Sequence, residues 1–341
     1  MDLIPSDEQQ PIIDTLQDFL NTEAPVSRVR DHGAIGNPDA ALWGKLGELG
    51  FLGLSLSEEQ GGVGLSTAEE FLVYREFGRY LISPVVLGLS LAARMASYAG
   101  NSSLRDRLLS GSVQVGIANG FPDLRSGAQL SGEVHLFDAK TADWVLFADE
   151  LGGALISTAS LASRRQVDAM DAVIPLERAI LHDVKPEIWI DAEDDPIYRR
   201  ALLLLAAYAT GMSEATRDMA VEYAKLREQF GKPIGSFQAI KHLCAEMAIR
   251  SESALALTSF AALVMAEHRE DADFQVVSSK IVATDSALKN SADNIQVHGA
   301  FGFTAEADAH HFLKRAHVVD HLFGGLRQQR QRLLDLPPAA A

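Results

Sequence analysis

Residues 222–248 read EYAKLREQFGKPIGSFQAIKHLCAEMA. Two helical patterns meet in this stretch, one ending near Leu226 and the next opening near Ser236, with a Gly- and Pro-containing break between them. Outward on both sides the pattern continues: 198–226, 236–267 and 272–297 each carry apolar residues at three- and four-residue spacing on both flanks. Helices that are apolar nearly all round are buried in a bundle and not laid on a surface. A further helical segment runs from about 305 to 335, so a four-helix bundle is expected.

Upstream the character changes twice. Residues 1–112 alternate helical stretches with turn signals. Ser6 before DEQQPIIDTLQDFL reads as an N-cap followed by acidic residues, a helix start. Residues 40–50 form a second amphipathic piece stopped by Gly50. SEEQGGVGLS (57–66) is a glycine-rich loop, TAEEFLVYREFGRYL (67–81) is helical again, and 84–112 supply one or two more helices. Between 113 and 192, short runs (VQVGIA, EVHLF, WVLFAD, GALIS, AVIPL) separated by Gly, Ser and Asp read as a small antiparallel β domain. The expected fold is therefore mainly α with a small β domain (α+β). It comprises an N-terminal helical domain over 1–112, a reduced β domain over 113–192, a C-terminal bundle over 193–335 and a tail over 336–341.

The totals narrow the function classes. The chain has 341 residues, 30 Lys+Arg against 46 Asp+Glu, a net charge of −16 and a pI near 5.0. A surface this acidic repels phosphate backbones and anionic lipid, so neither nucleic acid nor membrane is an expected partner. The single Cys244 excludes an intrachain disulfide framework and fits a reducing compartment. The N-terminus has no basic region followed by an apolar one, and the longest apolar run, ALLLLAAYA (201–209), is too short to span a bilayer. A cytoplasmic location is the expectation.

Three motifs carry a family resemblance. The 222–248 segment resembles the acyl-CoA dehydrogenase pattern of a helix ending in R-x-x-F-G-x-x-I followed by F-Q. QVHGAFGF (296–303) resembles that family's Q-x-x-G-G-x-G-[FY] element, and WGKLGELGFLGLSLSEEQGGVGLS (43–66) its N-terminal helix pair and glycine loop. The resemblance covers nearly the whole chain in the same order. It implies FAD as cofactor, lying extended between two subunits. Carried over by position, Arg227 contacts the pyrophosphate, Phe230 packs near the adenine, and Gln229, Ile234 and Gln238 line the same groove. Arginine suits that role because its planar fork bonds two phosphate oxygens at once. Gln296 and the turn at Gly299 and Ala300 would add a side-chain amide and a close backbone approach. The alternative is that Arg227 only offsets a helix dipole and 299–302 only ends a helix. Ala300 stands where the family usually has its second glycine, which either moves the phosphate away or is tolerated as a small residue.

The resemblance also implies a reaction whose base is missing here. A glutamate in the family removes the α-proton of an acyl-CoA thioester while a β-hydride passes to the flavin, and it needs reach and a tuned pKa. The matching stretch is VVDHLFGGLRQQ (318–329), with Phe323 at the glutamate's place. The position used by a minority of members is Ala201, 26 residues before Arg227. Neither accepts a proton. In the β domain, SGEVHLFDAKTADWVLFA (131–148) puts His135 where the family has an aromatic and Phe137 where it has Ser or Thr, and the loop 118–129 is shortened. The losses all fall at the flavin-ring end, while the phosphate and adenine end is kept. That pattern resembles the degenerate subunit of heterotetrameric (α2β2) acyl-CoA dehydrogenases of steroid side-chain breakdown. The expected partners are a catalytic acyl-CoA dehydrogenase-like subunit, an acyl-CoA, and an acceptor such as an electron-transfer flavoprotein.

Two rival readings stand beside this one. A self-sufficient homo-oligomer would have moved its base to Glu246, Asp320, Glu306 or Glu214. A flavin-free helical assembly protein would keep Phe323 and Leu326 only as packing. His317 and His321, four apart with His310 and His311 upstream, have a zinc-like spacing but lack the carboxylate of H-E-x-x-H, so no metal is expected.

Overall fold

The computed structural model describes residues 3–31, 39, 41–120, 125–126, 129–161 and 163–337. The N-terminal part folds as α1 (Gln10–Glu23), α2 (Arg28–Asp31), α3 (Leu42–Glu48), α4 (Thr67–Arg79), α5 (Val86–Tyr98) and α6 (Ser102–Leu109). Ser6 is not the N-cap of α1. It closes a preceding turn through its carbonyl, and the helix begins at Gln10 with Pro11 in its first turn. Proline fits there because its missing N–H would have had no partner. Ser66 does cap α4: its hydroxyl accepts from Ala68 N–H (3.1 Å) and Glu69 reaches back to Ser66 N–H (2.8 Å).

The strands are β1 (Val115–Gly120), β2 (Arg125–Ser126), β3 (Gln129–Phe137), β4 (Trp144–Asp149), β5 (Gly152–Ser157), β6 (Arg165–Val167), β7 (Leu176–Val184) and β8 (Ile188–Asp191). They form one sheet ordered β6-β7-β3-β1-β4-β5-β8, with β2 beside β3. The sheet is mixed, not purely antiparallel, because β1 and β4 run parallel with Ile117 opposite Leu146. The cause is geometric: β7 occupies the far edge of β3, so the chain leaving β3 returns on the free side of β1. Alternation along the strands serves two cores. Ile117, Leu146 and Leu155 face the helices, while Ala118, Val145, Phe147 and Ile156 pack on the other face.

The C-terminal part comprises α7 (Ile197–Leu226), the short hairpin β9 (Glu228–Gln229) and β10 (Lys232–Pro233), α8 (Gln238–Ala266), α9 (Ala272–His298), α10 (Ala309–His321) and α11 (Leu326–Asp335). The last predicted helical segment is thus two helices. Phe323 (φ 56°) and Gly324 (φ 99°) break it, since neither is in a right-handed helical conformation. By length and composition α8 would suffice to cross a bilayer, yet Met247, Ser251 and Thr258 on it are buried against the bundle. Between helices, α4 and α7 touch backbone to backbone: a Cβ on Gly78 would lie 1.9 Å from Tyr208 O, and one on Gly211 would lie 1.8 Å from Arg75 O.

Buried ion pairs tie the parts together. Arg315 on α10 is almost fully buried and bonds Asp171 (2.6 Å), the carbonyls of Leu81 and Ile82, and Tyr208 Oη (2.9 Å). One guanidinium therefore joins the N-terminal helices, the β region and two bundle helices. Such a pair gives register more surely than net stability.

Candidate functional site

The predicted phosphate-end residues collect at one end of the bundle. Helix α7 stops at Leu226, and Arg227 takes extended geometry while its N–H still bonds Tyr223 O (2.8 Å). The chain then doubles back: Gln229 pairs with Lys232, and Phe230 (φ 55°) and Gly231 (φ 76°) make the two-residue turn. A phenylalanine held at positive φ stores strain. This one is also 91% exposed, with only an edge contact to Phe237 among the described residues (6.0 Å, 87°). Ile234 N–H closes the hairpin onto Arg227 O (2.8 Å), and its side chain joins a small core of Ala220, Ala224, Met247 and Val297. Arg227, Gln229 and Gln238, the first residue of α8, are all exposed.

The second half comes from the end of α9. Gln296 is exposed, and Gly299 carries the positive φ (62°) at which the helix passes into a short 3-10 turn, Gly299–Phe303. Ala300 is exposed inside that turn, and the left-handed residue is its neighbour. The backbone therefore tolerates alanine where the family usually has its second glycine. Three aromatic rings that the motif reading passed over join the two halves. Tyr223 stacks on His298 (centroids 4.1 Å apart, 25°), and Phe301 lies parallel to Tyr223 (6.2 Å, 5°). Their signal was present in the sequence, one helical turn before Arg227 and flanking Gly299, but aromatic residues in a helical pattern read as core.

The opposite end is filled. Phe323 is 3% exposed and Ala201 is fully buried. The backbone of Phe323 is held on both sides: its N–H donates to Asn119 Oδ1 (2.9 Å), and its C=O accepts from Tyr198 Oη (2.9 Å) and Gln329 Nε2 (3.0 Å). Asn119 also donates to His321 O. Nearby, the Lys280 ammonium bonds Val319 O (2.6 Å), and burial pushes its pKa down to about 8. Phe137 is buried in the helix-facing core, and His135 is half-buried opposite Asn119 in β1. The shortened loop 118–129 falls partly outside the described residues.

None of the four alternative bases faces this region as a free carboxylate in an apolar pocket. Glu214 is locked in a two-pronged pair with Arg75 (2.6 and 2.8 Å). Glu246 points outward beside Arg250, and Glu306 is exposed. Asp320 accepts from Leu326 N–H (2.8 Å), stapling the turn around Phe323. Among the described residues no group of three or more metal-type side chains gathers. His321 is exposed beside Asp320 (3.9 Å), and His310 and His311 lie ring to ring at 4.1 Å.

Comparison with known proteins places the chain in a family. Residues 6–115 match the acyl-CoA dehydrogenase N-terminal domain, and residues 200–334 match the acyl-CoA dehydrogenase C-terminal domain. The chain is 34% identical over 318 residues to the acyl-CoA dehydrogenase FadE34 of Mycobacterium tuberculosis, covering 89% of this chain but only 43% of that protein's length. It is 29% identical over 335 residues to the acyl-CoA dehydrogenase IpdE2 of the same organism, covering 97% of this chain and 98% of that one. A chain of the ChsE4–ChsE5 complex from Mycobacterium tuberculosis superposes with a TM-score of 0.84 at 21% identity, covering 99% of this chain and all of that one. With helices, mixed sheet and bundle in this order and both terminal domains matched, the chain belongs to the acyl-CoA dehydrogenase family.

Proposed function

We propose that this chain is the subunit of an FAD-dependent acyl-CoA dehydrogenase that holds the pyrophosphate and adenine end of FAD for a catalytic partner, and that it lacks a base of its own. One observation carries the reading: the exposed, strained and charged groups lie at the phosphate end, while Phe323, Ala201 and Phe137 at the ring end are apolar and buried. Phe230, 91% exposed at positive φ, lies at the same bundle end as the exposed Arg227, Gln296 and Gly299. A second chain presenting FAD would cover all of them.

The residues fit that group. Arg227 supplies a fork of donors for two phosphate oxygens. Gly299 allows the backbone to approach, and Gln296 adds an amide. Phe230 offers a ring face for the adenine, with Gln229, Ile234 and Gln238 lining the groove. When bound, FAD supplies the acceptor for the β-hydride of an acyl-CoA. Phe323 and Ala201 cannot take the α-proton, so the base belongs to the partner chain. A heterotetramer of two such pairs, a ring-bearing acyl group, an electron-transfer flavoprotein as acceptor and a cytoplasmic setting are parts of the same proposal. So is the division into domains at 1–112, 113–192 and 193–335. That the ChsE4–ChsE5 structure is of a complex supports a heteromer.

The test is flavin stoichiometry after co-expression with a base-bearing acyl-CoA dehydrogenase partner. The expected result is one FAD per pair of chains. One FAD per chain contradicts the proposal.

A further inference from the structure

The cradle at the phosphate end is built from segments distant in sequence, so something has to fix the gap between them. Arg227 and the hairpin after it hang from the end of α7, whereas Gln296 and Gly299 hang from the end of α9. The hairpin is held by the Ile234–Arg227 bond, by the Ile234 side chain in the core of Ala220, Ala224, Met247 and Val297, and by Phe237, which meets Phe230 edge-on (6.0 Å, 87°) and carries Lys232 Nζ over its ring (4.6 Å). The ring stack bridges the two halves. Tyr223 lies one helical turn before Arg227, and its carbonyl accepts the Arg227 N–H. His298 immediately precedes Gly299. Its ring is locked in turn, because Nδ1 lies 2.8 Å from Asn294 O. A carbonyl only accepts, so Nδ1 carries the proton and the imidazole cannot flip without losing that bond. Burial pushes the His298 pKa down, which favours the neutral ring.

We infer that Tyr223 and His298 are positioning residues, a stacked bracket that sets the spacing between the Arg227 hairpin and the Gly299 turn and thereby the grip on a diphosphate. This rests on the reading of that end as the FAD-tail site. Neither residue needs to touch the cofactor. A displaced bracket would loosen both halves together, and a ring of either aromatic kind would restore it. Aromatic pairs gain from stacked ring geometry, and an aliphatic side chain of similar bulk does not reproduce the plane.

Amide hydrogen exchange of the full chain without flavin tests the bracket by itself, with Tyr223→Leu and Tyr223→Phe as the variants. Tyr223→Leu should speed exchange in 228–237 and 299–303 by about tenfold, while α9 residues such as Val276 and Ala283 keep their protection. Tyr223→Phe should behave as the parent. In the flavin-loaded complex with its partner, Tyr223→Leu should then release FAD faster, again by about tenfold, and Tyr223→Phe should not. Unchanged exchange in the hairpin of Tyr223→Leu overturns the bracket whatever the flavin does. Faster exchange with unchanged FAD release also overturns the inference, and it places the fault in the cofactor assignment and not in the stack.

Discussion

Position 323 is filled by a buried phenylalanine. Phe323 sits at φ 56° and is 3% exposed, and its backbone is held by Asn119, Tyr198 and Gln329. Phe323→Glu would put a carboxyl into that apolar space without a partner. It should lower stability by roughly 3–5 kcal/mol and create no turnover. Burial raises the carboxyl's pKa in the folded state above the unfolded value. The variant is therefore least unstable at acid pH and loses stability as pH rises through the folded pKa, which denaturant melts at several pH values would show. A gain of acyl-CoA-dependent flavin bleaching would mean that a flavin already lies opposite. At the other end, Arg227→Ala in the flavin-loaded complex should remove a charge-assisted contact of about 1.5–3 kcal/mol, weakening FAD retention roughly ten- to hundred-fold. Arg227→Lys should recover only part of this, since a point charge cannot bond two oxygens in a plane. Unchanged affinity in the alanine variant, read by flavin titration, would leave Arg227 as a helix-end residue only. Both positions were legible in the sequence because they lie in spaced motifs. The hold on Phe323 was not, since Asn119 lies 204 residues away along the chain.

Among the elements, the long helices were readable to within a residue or two, as 198–226 against Ile197–Leu226 and 272–297 against Ala272–His298. Their apolar period is sustained over many turns, which a single substitution cannot hide. The parallel pairing of β1 with β4 was not readable, because strand periodicity gives the buried face and says nothing about which neighbour lies alongside. Nor was the break between α10 and α11, where the Gly324–Gly325 pair was masked by a family motif read for its chemistry. The start of α10 yields a pH prediction. His311 is pushed down to about 4, first by burial and then by His310, Lys314 and Arg315, with Asp171 opposing. His310 is lowered as well, by burial and by Lys314. In the unfolded chain both titrate near 6.5. A histidine depressed in the folded state binds its proton less readily there, so stability is full above about pH 6.5 and is lost as pH falls toward 4. Thermal melts should show that fall, and His311→Leu should flatten it. An equal slope in parent and variant would contradict the assignment.

At the scale of the whole molecule, the proposed function assigns one end of the chain to packing and the other to a partner. Arg315, joining Asp171, Leu81, Ile82 and Tyr208, and the contact of Gly78 with α7 tie the helices together away from the Arg227 end. The open end keeps an arginine, a left-handed glycine and Phe230, which is 91% exposed at positive φ. The most direct test is to purify the chain alone, supply FAD, an acyl-CoA and an electron acceptor, and follow acyl-CoA-dependent flavin bleaching and turnover. The account predicts neither bleaching nor turnover from the chain alone, with both appearing once a base-bearing partner is added. Steady turnover by the pure chain would contradict it.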